Sequence, residues 1–114
     1  MHALSLLALL LPLVAAAKHD QCDCMSWYQG GKWDHNRYLT KWICKYTDAY
    51  GPDKTRFDEH SGQCVGINGF QINGAEWEGN CKRVGVQGYY PIGMDGIIDI
   101  SGGLKKIDEA TGNC

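Results

Sequence analysis

The sequence predicts an α+β fold: a small disulfide-stapled domain with two short helices and a few short antiparallel strands. Three observations carry that expectation. Six cysteines are spread along 114 residues, an even count that in a short exported chain reads as three disulfide bonds. Two segments place apolar residues at helical spacing, each with its own cap and stop signals. Fifteen glycines break much of the remainder into short apolar runs suited to turns and short strands.

Export is read from the first seventeen residues. Leu4 to Val14 is an apolar run of eleven broken by Ser5 and Pro12, and Ala15-Ala16-Ala17 then offers small side chains to a signal peptidase. Residues 1–17 therefore read as a secretory signal peptide, although His2 is the only candidate for a positive side chain ahead of the run. A retained membrane anchor would need roughly 20 apolar residues. Residues 18–114 are expected to form a single disulfide-rich secreted domain, extracellular and without stable membrane insertion.

The cysteines are Cys22, Cys24, Cys44, Cys64, Cys81 and Cys114. Cys22 and Cys24 are two residues apart in a segment expected to be extended, so a bridge between them would be strained and each is assigned a distant partner. A bridge at Cys114 would tie down an end that otherwise frays. Zinc is the competing use of thiols, but zinc sites favour C-x2-C pairs. The chain has none. No metal is assigned.

The first helical pattern runs between Asn36 and Tyr50, with Leu39, Trp42, Ile43, Tyr46, Ala49 and Tyr50 on its apolar positions. Asp34 or Asn36 can cap it, and Gly51-Pro52 is a stop. The same residues alternate well enough to compete as a strand (Tyr38, Thr40, Trp42, Cys44, Tyr46), but length and stop signal favour the helix. Asp53 to Gln63 is polar and reads as a loop. Cys64 to Ile72 reads as two short strands around Asn68-Gly69, the best short hairpin signal. Asn73 then caps a second helix over Gly74–Val84, with Glu76 completing a capping box and Gly85 as the stop. Trp77, Cys81 and Val84 share its inner face. Beyond it, Ile97, Ile98 and Ile100 suggest a strand, Gly102-Gly103 a turn, and Leu104 to Ala110 a short amphipathic stretch.

Eleven Lys and Arg against thirteen Asp and Glu leave a net charge of -2, which argues against a dedicated nucleic-acid partner. Phosphate-cradling and dinucleotide signatures are missing, so no cofactor is expected. Asp48, Asp53, Asp58 and Glu59 miss the calcium-loop spacing and read as a solvated acidic surface. His35, His60, Glu59 and Arg56 supply the residue types of a small secreted ribonuclease or other hydrolase, with the two histidines as acid and base and Arg56 as phosphate clamp. Nothing in their spacing requires them to converge, so no catalytic residue is assigned outside that alternative. Among the aromatics, Trp42 and Trp77 fall on faces expected to be buried. Trp27, Tyr28 and Trp33 flank Gly30-Gly31 and are the candidates for an exposed binding surface.

Taken together, Cys22-Asp-Cys24, the Thr40-Lys-Trp-Ile-Cys44 run, the Cys64-Val-Gly-Ile-Asn-Gly-Phe-Gln-Ile-Asn-Gly segment and Trp77-x3-Cys81 resemble small secreted cysteine-rich proteins of filamentous fungi, many of them candidate effectors. The resemblance covers residues 22–85. This chain departs from it in having single Cys44 and Cys81 where relatives often carry adjacent pairs. It implies export, a stapled α+β domain and action outside the producing cell, and it transfers no catalytic residue. The expected function is a secreted effector-like virulence or interaction protein that binds a host or competitor protein or glycan. An antimicrobial or killer-type toxin is a further alternative, disfavoured by the near-neutral charge.

Overall fold

In the computed structural model, residues 17–114 are described. Residues 1–16, which carry the expected signal peptide up to its last residue, lie outside them. Seven strands and two helices follow in the order β1 (Lys18–His19), β2 (Gln21–Trp27), β3 (Asp34–His35), α1 (Arg37–Tyr46), β4 (Thr55–Asp58), β5 (Gln63–Gly66), β6 (Ile72–Asn73), α2 (Gly74–Gln87) and β7 (Glu109–Asn113). Every strand pairing is antiparallel. The α+β class holds.

β2 is the organising strand. Its first residues pair with β5, matching Cys22 to Cys64, and its last with β3, matching Met25 to His35. Along Asp23–Trp27 it also pairs with β7, the end of the chain. Three disulfides then lock this sheet to the rest. Cys22 joins Cys114, Cys24 reaches Cys81 in α2, and Cys44 at the end of α1 joins Cys64 in β5. The core between sheet and helices is Leu39, Ile43, Ile72 and Trp77, these four fully buried, with Cys22, Cys24, Cys44, Cys64 and Cys81 in the same cluster.

The caps account for both helix starts. Asn36 accepts the amide of Leu39 on its side-chain oxygen, and Asn73 accepts that of Glu76. Both helix ends differ from the expectation. α1 stops at Tyr46, four residues before Tyr50, because Thr55 Oγ1 takes the Cys44 carbonyl and the Cys44–Cys64 bridge turns the chain toward β5. α2 continues through Gly85 to Gln87 and is closed by Gly88 at φ 121°. Gly85 is a packing site here: a Cβ on it would stand 2.8 Å from Ile107 Cδ1 and 3.0 Å from Leu39 Cδ2.

Four further expectations are corrected. The Asp53–Gln63 segment is no loop: it contains β4, which forms a hairpin with β5 closed by the Asp58–Gly62 turn. Only Thr55 and Phe57 turn inward from it, too few apolar positions to announce a strand. The Asn68-Gly69 turn does form, both residues having positive φ, with Phe70 donating to the Ile67 carbonyl. The strands on either side of it nevertheless pair elsewhere, β5 with β2 and β4, β6 with β1. Ile97, Ile98 and Ile100 make no strand. A single bridge links Ile98 to Ile92, and the facing Pro91 has no N–H with which to extend it. Trp42 is half-buried rather than core, lying 4.8 Å from the Tyr46 ring.

Candidate functional site

A cleft of about 760 Å³ opens where the ends of β2 and β3, the first turn of α1 and the glycine-rich segment 89–106 meet. Its position follows from Asn36, which sits between β3 and α1 and bonds in three directions. The Asn36 amide donates to the Cys24 carbonyl (2.8 Å), the side-chain oxygen caps α1, and Nδ2 donates to the Tyr89 hydroxyl (2.9 Å). Thr40 reinforces the same corner, its hydroxyl accepting the Cys24 amide and donating to the Asn36 carbonyl. Tyr89 is buried, and its backbone pairs in both directions with Lys105. Burial pushes its phenol pKa up, against the opposing pull of the Asn36 bond. The floor of the cleft is thus tied to the β2–α1 corner.

Around that floor stand two exposed tyrosines, Tyr28 (52% exposed) and Tyr38 (54%). Hydrogen-bonding groups line the same cleft: Asp34 and Asp99, and the serines Ser26 and Ser101. Asp99 is fixed by the amide and hydroxyl of Ser101, and these bonds hold its carboxyl below the usual range. Lys105 and Lys106 bring positive charge to the same rim.

His35 lies on the same cleft, and its imidazole is oriented. Nδ1 is 2.6 Å from Oδ2 of Asp23, a buried carboxylate whose other oxygen accepts from Asn113 Nδ2. The opposite ring edge lies against Gly62, where a side chain would meet Nε2 at 2.7 Å.

The four residues of the hydrolase alternative do not gather. Of His35, His60, Glu59 and Arg56, only His35 lines this cleft. His60 is exposed on the β4–β5 turn, its amide donating to Asp58 Oδ1. Glu59, part-exposed, is ion-paired with both Arg37 and Lys41, and the Lys41 hydrogen bond is the main cause of its lowered pKa. Arg56 is exposed on β4 and lines a different cleft. The cation beside His35 is Arg37, close to the same Gly62 position.

The three aromatic candidates also separate. Trp27 is half-buried in β2, opposite Glu109. Tyr28 borders the tyrosine cleft, while Trp33, 43% exposed, lies on a groove formed by β7 with Lys82 and Val86 of α2. The loop carrying them is braced by the Gln29 amide bonding Asp108 and by the Gly31 amide closing on the Tyr28 carbonyl.

Asp23, Asn36, Tyr38, Tyr89 and Lys105 were not singled out as site residues from sequence. The available signals are Asn36, a cap candidate, and Asp23, a charge enclosed between two cysteines that the core requires; neither by itself points to a cleft. Among the described residues no cluster of His, Cys, Asp and Glu is arranged to hold a metal ion, and no helix is long and apolar enough to cross a membrane. Comparison with protein-family models, curated proteins and solved structures finds no match for this chain.

Proposed function

We propose that this chain is a non-catalytic binding protein acting outside the cell that makes it, and that its contact surface is the braced aromatic loop with the tyrosine cleft beside it. The observation that carries the reading is the exposure of Tyr28 and Tyr38 on the same cleft as hydrogen-bonding groups held by a cross-linked frame. Aromatic planes beside carboxylates and hydroxyls suit the alternating C–H faces and hydroxyls of a sugar. A glycan on the surface of a host or competitor is therefore the favoured target class. The leader pattern and the resemblance to secreted fungal proteins of the candidate effector type support a role in interaction or virulence. A binding role is favoured over hydrolysis because His35 brings no second histidine to the cleft.

The test uses the cystine-linked 18–114 chain on an array of extracellular polysaccharides and surface glycoproteins. The Tyr28→Ala, Trp33→Ala double variant is expected to keep three disulfides and its circular dichroism while losing at least about tenfold in affinity, since rigid aromatic anchors dominate such surfaces. Undiminished binding by the folded double variant would remove this surface from the proposal.

A further inference from the structure

A second cleft, sharing no lining residue with the first, lies between the C-terminal half of α1, strand β4 and residues Met94 and Gly96. It encloses about 510 Å³, within the range of small-molecule sites, about 300–1,000 Å³. Its walls are apolar: Phe57, Ile67, Pro52 and Met94, backed by the Cys44–Cys64 bridge. Met94 is 86% exposed, an unbranched thioether free to fold over an occupant. Two of the polar groups of the walls are already committed, and the exposed Tyr46 hydroxyl is the remaining uncharged one. Thr55 Oγ1 donates to the Cys44 carbonyl, and the buried Lys41 ammonium bonds Glu59 and the Gly93 carbonyl.

The charge of this cleft is one-sided. Glu59 is the only acid lining it, and that carboxylate is shared between Lys41 and Arg37. Lys45 and Arg56 stand on the rim with no ion pair among the described residues. An apolar trough with two uncompensated cations at its mouth selects an occupant with an apolar body and one negative head. Arg56 offers a carboxylate the forked, two-bond contact that guanidinium provides. A sugar would find only the Tyr46 hydroxyl and the two rim cations to bond along an otherwise apolar wall, and a cation would be repelled.

We infer that this cleft is a binding site for a free single-chain fatty acid, with the acyl chain along Phe57, Ile67 and Met94 and the carboxylate on Arg56 and Lys45. The test titrates the cystine-linked protein with monomeric decanoate, 1-decanol and decyltrimethylammonium by calorimetry, and follows the Met94 methyl by NMR. Decanoate is expected to bind one to one, shift the Met94 methyl, and bind at least about tenfold more tightly than either of the others, as a charge-assisted hydrogen bond provides. The Lys45→Ala, Arg56→Ala double variant and, separately, Met94→Glu are each expected to weaken decanoate about tenfold, with intact mass and circular dichroism unchanged because all three side chains are exposed. Equal binding of the cationic amphiphile, an unmoved Met94 methyl, or full affinity in the folded double variant would overturn the assignment. So would binding to phosphatidylglycerol vesicles with none to monomeric decanoate. Tyr28→Ala with Trp33→Ala is expected to leave decanoate binding intact, so either proposal can fail without the other.

Discussion

Tyr50 is the residue at which the interior is least satisfied. It packs edge-on to Phe70 and 5.6 Å from Trp77, and its hydroxyl is buried without a hydrogen-bond partner. Burial first, and then the charge of Glu76, push its pKa from 10.0 up to about 12; the Asn80 side chain pulls the other way without reaching bonding geometry. The folded-state value lies above the unfolded one, so stability from the neutral phenol is fully present below pH 10.0 and is lost as pH rises toward about 12. The expected loss at the alkaline end is up to about 3 kcal/mol. Tyr50→Phe should flatten this limb of a stability–pH profile measured by urea unfolding. At pH 7 it should leave stability unchanged or raise it by about 1 kcal/mol, because an unpaired buried hydroxyl is removed. Residue-scale features of this kind were illegible in the sequence. There Tyr50 was one more apolar position at helical spacing, and Asp23 gave no sign that it would orient His35.

At the scale of elements, the helix α2 shows how packing overrides a local stop signal. Gly85 reads as a terminator by composition, yet it lets Leu39 of α1 and Ile107 of the chain's last segment approach the α2 backbone. Gly85→Ala would gain helix propensity of about 0.5–1 kcal/mol but force those two side chains aside, at about 1–3 kcal/mol. The expected outcome is net destabilisation by about 1 kcal/mol, read as a lower midpoint in thermal unfolding. A second element, the β4–β5 turn, is held to α1 through Glu59, which receives both Arg37 and the buried Lys41. Glu59→Gln should leave the Lys41 charge poorly compensated and cost about 1–3 kcal/mol, with faster amide exchange around Gly93, whose carbonyl shares the same ammonium. The helix starts were legible because Asn36 and Asn73 act on amides three residues away. The strands were harder, since β4 and β6 offer few apolar positions and β6 acquires its identity from β1, a partner distant in sequence.

At the scale of the whole molecule, covalent cross-links hold together a short and irregular set of elements. The bridges span 92, 57 and 20 residues, and each contributes about 3–5 kcal/mol in the chain-entropy model. A domain of this size has a net stability of about 5–15 kcal/mol, so replacing Cys22 and Cys114 together by Ser should remove a large part of it. Chemical denaturation of that variant should show a markedly lower midpoint, with β7 the first element to lose amide protection, since this bridge fastens it to β2. The sequence by itself determined the α+β class, the cystine-linked character and the Asn73 cap, and narrowed the other cap to Asp34 or Asn36, because those depend on composition and on contacts within a few residues. It also marked Tyr28 and Trp33 as aromatics beside a glycine turn. Only the tertiary structure decided which cysteines join, which strands are neighbours, and which of the scattered charged and aromatic side chains share a cleft. These are long-range pairings, and many arrangements of one chain satisfy the same local preferences until the core and its sulfur bridges select among them.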